Sequence, residues 1–232
     1  MKSRQEIKHY ARIAMGEQRG TAILVFLIVF LIGLATGLAS GMMSGMMLVL
    51  STFGRPNPFM SWAFTYLIMF FVSFPLAVGA CDVFIKIYIR YRASANGVFT
   101  GFSVNYMRKV GGMAWMYLFT MLWTMLLVVP GIIKSIAYSM TPYILTDCPN
   151  VTAKDALKLS MRMTEGHKMD LFVMQLSFFG WWILSFLTCN ILGLVFVAPY
   201  HATTTAGYYV ELRDKAVATG VIHVTELTGR LQ

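Results

Sequence analysis

The stretch "LLVVPGIIKSIAYSMTPYILTD", residues 126–147, is apolar enough for a membrane interior, yet it carries Pro130-Gly131, Lys134, Pro142 and a closing Asp147. As a single helix it would be interrupted twice, because proline removes a backbone donor and clashes with the preceding turn. As two helices it turns at Pro130-Gly131. The choice fixes which basic segments share a side of the membrane, and so the topology of the whole chain.

A membrane is implied by composition. Of 232 residues, 57% are hydrophobic and 12% charged, where soluble domains carry about 25% charged residues. Residues 21–50 hold no charge, and residues 59–85 hold only Asp82. Both runs exceed the roughly 20 apolar residues that a crossing helix needs, and the first is too long for the apolar part of a secretory signal. Thirty helical residues reach about 45 Å, so the first span tilts or projects beyond a hydrocarbon core of about 30 Å. "FGRPNP" (53–58) reads as a turn, and a second span follows it.

The positive charges choose between the two readings of residues 126–147. If residues 110–147 cross once, the basic segment before them and the one after them lie on opposite sides. If they cross twice, the segments share a side. Under this six-span reading the cytoplasmic side holds five Lys/Arg in 1–20, five in 86–109, four in 154–168 and three in 213–230, or 17 of 19. Only Arg55 and Lys134 fall outside. That asymmetry is what the positive-inside rule produces. It also accounts for the net charge of +9 without nucleic acid as a partner. Lys134 is then expected just past the outer turn, its ammonium snorkelling to the outer interface.

The expected fold is all-α: a polytopic membrane helix bundle of six transmembrane helices as three hairpins, forming one domain over residues 1–232. Two amphipathic surface helices accompany it. In residues 1–19, Ile7, Tyr10, Ala11 and Ala14 recur at helical spacing among basic residues, as in a helix lying on the membrane surface. In residues 152–166, Thr152 with Asp155 gives a capping-box-like start. There Lys154, Lys158 and Arg162 form a basic stripe suited to anionic lipid headgroups, or to a partner protein. Residues 214–232 read as a cytoplasmic tail.

The segments "VPGIIKSIAYSMTPYIL", "AKDALKLSMRMTEGHKMDLF", "LSFFGWWILSFLT" and "APYHATTTAGYYVEL" resemble the bacterial integral membrane proteins grouped as domain-of-unknown-function family 975. The resemblance implies a multi-pass protein of the bacterial cytoplasmic (inner) membrane. It carries over no activity and no site residues.

Candidate sites follow from the residues themselves. Gly33, Gly37, Gly41 and Gly45 recur every fourth position in the first span. Such a glycine zipper is a flat strip for close approach, either to another span of this chain or to a second copy. "GMMSGMM" (41–47) offers thioethers, but no Cys or His nearby makes it a copper site. Cys81, Cys148 and Cys189 are widely spaced and form no metal or disulfide pattern, so no metal or cofactor is expected. Ionisable residues in or near spans mark possible substrate or proton sites: Asp82, His201 and Lys134. Asp82 is explained locally by Lys86 four residues on, and Glu211 by exposure at the interface beside Arg213. His201 reads as a hydrogen-bonded packing residue. Pro75, Pro142 and Pro199 each interrupt one span, as in the broken helices that line transporter sites.

No nucleotide loop, nucleophile elbow or zinc-protease helix is present, so an enzyme is not expected. The expected function is that of a non-enzymatic integral membrane protein acting through helix packing, membrane lipids, a homo-oligomer or a membrane partner protein. The alternative is a small transporter or permease subunit using the proline-broken helices. A transporter needs a polar, water-accessible cavity near His201, Pro142 and Pro75; a packing protein needs none.

Overall fold

The computed structural model describes residues 2–51, 58–103 and 105–221, and every regular element among them is helical. Of the turn expected at 53–58, residues 53–57 lie outside these residues, as does the end of the tail. Helix α1 (Arg4–Glu17) begins at Ser3, whose hydroxyl accepts from the Glu6 amide while the Glu6 carboxylate accepts from the Ser3 amide at 2.7 Å. That backbone donor holds the exposed Glu6 carboxyl below its usual range. This part of the cap is therefore present at neutral pH and is lost as pH falls through the depressed value.

The expected apolar face of α1 is real, but protein covers it. Ile7, Ala11, Ala14 and Met15 are buried against α3 (Pro58–Tyr88) and α9 (Ala198–Ala218). Tyr10 meets Tyr88 edge-on at 5.1 Å. The Lys2 ammonium reaches Glu211 at 2.9 Å, so Glu211 has an ion-pair partner on α1's leading segment in addition to its place near Arg213. One face of α1 is packed into the core, where its small Ala11 and Ala14 admit close approach of the neighbouring helices.

Among the described residues three helices are long and apolar enough to cross a membrane: α2 (Arg19–Ser51), residues Phe70–Tyr88 of α3, and α8 (Lys168–Leu187). In α3, Pro75 cannot donate to the carbonyl of Phe71. The hydroxyl of Tyr106 fills the gap, donating to that carbonyl at 2.9 Å. A 3₁₀ segment, Ala95–Phe102, returns along α3.

Residues 110–147 divide into α4 (Tyr106–Leu126), α5 (Val128–Tyr138) and the short α6 (Thr141–Asp147). The reversal is at Leu127, in an extended conformation, and not at Pro130-Gly131. Pro130 lies in the first turn of α5, where a missing N–H leaves no intrahelical bond unmade. Pro142 likewise opens α6. Pro75 lies inside α3, and Pro199 lies within a helical run unbroken from 191 to 218, just after its π-helical turn at Gly193–Val197.

Helix α7 (Ala153–Met163) starts at Thr152, whose hydroxyl accepts from the Asp155 amide at 3.2 Å. Its inner face, Ala156, Leu157, Leu159, Ser160 and Met163, is buried against α4 and α6. Ser160 donates to the carbonyl of Ala137 at 2.7 Å. The expected surface helix is thus docked along one face, with Lys154, Lys158 and Arg162 left exposed.

Burial is uneven along the molecule. The end built from α1, the C-terminal half of α3, α6, α7 and α9 is well packed, with Ile7, Phe84, Ile144 and Tyr208 all at 1% exposure or less. At the other end large apolar side chains stand free: Met42 at 77%, Met125 at 82% and Phe186 at 85% exposure.

Candidate functional site

The most distinctive chemical surface is a cleft of about 390 Å³ between α4 and α7, closed at one end by α5. Trp115, Phe119 and Trp123 recur at every fourth residue of α4 and so share one face. Trp115 stacks on Phe119 with 5.5 Å between ring centres. Leu157 and Met161 of α7 and Tyr138 of α5 complete the apolar lining. Three lysines enter it. The Lys154 ammonium lies 5.2 Å from the Trp115 ring and that of Lys134 lies 5.2 Å from the Trp123 ring, both within cation–π range. Lys158 lines the cleft between them and meets Asp155 at 3.4 Å. Asp155 is itself held below the usual carboxylate range, first by the Thr152 hydroxyl and then by Lys158.

This geometry corrects the place expected for Lys134. It was expected apart from the basic stripe of α7, on the opposite side of a membrane. Instead its Nζ lies 3.9 Å from the Met161 sulfur of α7, in the same cleft as Lys154 and Lys158. The cause is the turn at Leu127: α5 returns alongside α4, and α7, docked on both, comes up to meet Lys134. Arg162 of the expected stripe does not line the cleft. The aromatic face was missed in the sequence, although the spacing of "WMYLFTMLW" (115–123) carries it.

The other expected site residues are engaged elsewhere. Asp82, 1% exposed, is paired with Lys86 at 2.6 Å and accepts from Thr146 at 3.2 Å, so the local pairing expected of it is present. His201 Nε2 lies 2.7 Å from the Gln175 side-chain oxygen, with Phe178 edge-on at 5.0 Å. It has the protein partner expected of a packing histidine. Gly33, Gly37, Gly41 and Gly45 all face open space: among the described residues no atom lies within 4 Å of where a Cβ would stand. Gly33 lines a groove that α2 shares with α3 and α9.

Two polar clusters had no advance signal. Arg213 donates to Asp147 at 3.0 Å and holds Asp214 at 3.0 Å, while the Tyr209 hydroxyl donates to Asp147 at 2.9 Å. Arg108 donates to the carbonyls of Leu145, Cys148 and Val151 at 2.6–3.0 Å. It thereby satisfies carbonyls at and beyond the end of α6, where helix geometry leaves them unpaired. Arg108 and Arg213, which counted toward the cytoplasmic charge excess, are thus structural parts of the packed end.

A second groove, of about 350 Å³, runs between α2, α3 and α9 past Val72, Leu76, Ala77, Cys81, Tyr143 and Ala202. It is lined by Ser73 and Leu76 on either side of Pro75 and by Ala202, the residue after His201, and its lining is mainly apolar. Among the described residues no group of three or more His, Cys, Asp and Glu side chains could hold a metal ion.

Residues 46–216 match the model of a family described as protein of unknown function (DUF975). No curated protein and no solved structure matches the chain.

Proposed function

Since the chain belongs to the DUF975 family, whose description assigns no activity, we propose from its geometry a non-enzymatic integral membrane protein that acts through contacts with lipids or a membrane partner. The reading places it in the bacterial cytoplasmic membrane with both termini on the cytoplasmic side. One observation carries it against the transporter alternative: the groove beside Pro75, Tyr143 and Ala202, where a transport pathway would need water, is lined mainly by apolar side chains. The Gln175 partner of His201 points the same way.

The native Cys81 lines that groove and provides the test. With Cys148 and Cys189 replaced by serine, the protein in proteoliposomes is treated with a charged, water-soluble thiol reagent. Cys81 is expected to stay unmodified until the protein is denatured. Rapid modification in the folded state would show a hydrated groove and favour the transporter.

In this reading the middle hairpin is shorter than its neighbours. Ile132, Ser135, Ile136 and Ser139 of α5 share a cleft with Leu171, Phe172 and Gln175 of α8. Counted from there along the helices, the tip at Leu127 lies about 12 Å away, whereas the end of α8 lies about 22 Å away. The hairpin tip therefore stops roughly 10 Å short of the α8–α9 turn. Its residues Leu126, Leu127, Val128 and Val129 are 61–69% exposed, and a turn in water would expose four consecutive apolar side chains. A re-entrant hairpin, entering and leaving on the cytoplasmic side, leaves the charge asymmetry unchanged and keeps the tip in hydrocarbon. Cysteine labelling from outside intact cells distinguishes this from six crossings. The native Cys189 should label, and a cysteine at position 127 should not. Labelling at both positions would restore the full middle hairpin; labelling at position 158 would overturn both topologies.

A further inference from the structure

We propose that the cleft between α4 and α7 is a binding site for one anionic membrane lipid, its phosphate held by Lys134, Lys154 and Lys158 and an acyl chain lying along Trp115, Phe119 and Trp123. The proposal rests on the membrane reading above and names the lipid class that the reading leaves open.

Charge complementarity carries it. Among the described residues neither Lys134 nor Lys154 has a carboxylate partner; each faces only an indole ring and, for Lys134, the Met161 sulfur. Asp155 pairs with Lys158 from an exposed position and is not part of the cleft lining. Lys134 is half-buried while Lys154 and Lys158 are exposed at the mouth, and three ammonium groups around one cleft can share a single phosphate as point charges. Basic pockets between helices at the cytoplasmic side suit lipid headgroups. The walls decide between a lipid and a soluble anion. Phe119 is 38% exposed and is flanked by Leu118 at 47% and Leu122 at 52%, so the cleft opens sideways onto apolar surface. A free phosphate would leave the aromatic face uncovered, whereas a lipid covers it with an acyl chain.

The two cleft tryptophans report on the site directly. In the full chain, Trp62, Trp181 and Trp182 are replaced by phenylalanine, leaving Trp115 and Trp123. The protein is placed in nanodiscs with either brominated phosphatidylglycerol or brominated phosphatidylcholine, and quenching is followed against mole fraction. Half-quenching is expected at about fivefold lower mole fraction of the anionic lipid, on the scale of a basic group near an anionic surface. The preference should vanish in the Lys134→Gln/Lys154→Gln/Lys158→Gln variant, weaken in Lys134→Gln alone, and survive when the three are replaced by arginine. Equal quenching by both lipids, or a preference that survives the triple glutamine change, overturns the site. Relief of quenching by soluble glycerol phosphate would make it a soluble-anion site and overturn the lipid assignment. No quenching by either lipid would instead remove the membrane reading on which the proposal stands.

Discussion

Gly101→Ala is expected to lower the stability of the protein by about 3 kcal/mol or more, the upper range for overpacking a close contact. For a chain of this size that is a fall in Tm of roughly 6–12 °C. The 3₁₀ segment crosses α3 so closely that a Cβ at Gly101 would lie inside the carbonyl of Pro75, and one at Gly79 inside the carbonyl of Val98. Both obstacles are backbone, which cannot rotate away as a side chain can. Gly79→Ala should behave alike, and a thermal scan in detergent checks both. Gly37→Ala supplies the contrast, because nothing described lies within 4 Å of its Cβ position; it should change Tm little. If Gly101→Ala and Gly37→Ala melted together, the close crossing of α3 would be wrong. A bulky Gly37→Leu, followed through oligomer size in detergent, tests whether the Gly33–Gly45 strip meets a second copy.

Arg213→Met is expected to cost about 3–5 kcal/mol, the range for removing one member of a buried ion pair. Asp147 is 2% exposed and Arg213 6%. Methionine would fill much of the volume but leave the carboxylate with the Tyr209 hydroxyl and no cation at 3.0 Å. Arg213→Lys should lose less, since it keeps a charge for Asp147 but cannot hold Asp214 at the same time in the planar fork that arginine uses. Arg213→Met combined with Asp147→Leu should recover much of the loss, because a buried pair replaced by apolar groups is often neutral. The double-mutant cycle on Tm or on hydrogen exchange of α6 and α9 measures the coupling. Additive losses, with no recovery in the double variant, would mean that the pair does not hold α9 to α6.

Much of the local structure was legible in the sequence. The buried face of α1, the Thr152 start of α7 and the Asp82–Lys86 pair are all set by residues three or four apart, and a helix brings such residues together whatever surrounds it. The apolar runs of α2, α3 and α8 were legible for a similar reason: length and composition alone make them long enough to cross a bilayer. The spacing of Gly33, Gly37, Gly41 and Gly45 was equally legible, yet spacing does not say what comes to lie against it. Glycines that close a backbone contact are instead Gly79, Gly101 and, against Thr124, Gly131, which belong to no repeat. The role of the first two depends on where the 3₁₀ segment crosses α3. The Arg213–Asp147 pair spans 66 positions, and Lys134 meets Met161 across 27. Charge counting placed Lys134 by its distance from a presumed turn at Pro130-Gly131. The turn at Leu127 and the docking of α7 placed it beside Lys154 and Lys158. Local spacing told which residues share a helix face. Which face meets which emerged with the packing, because that depends on contacts between residues distant in the chain, whose closeness no local spacing encodes.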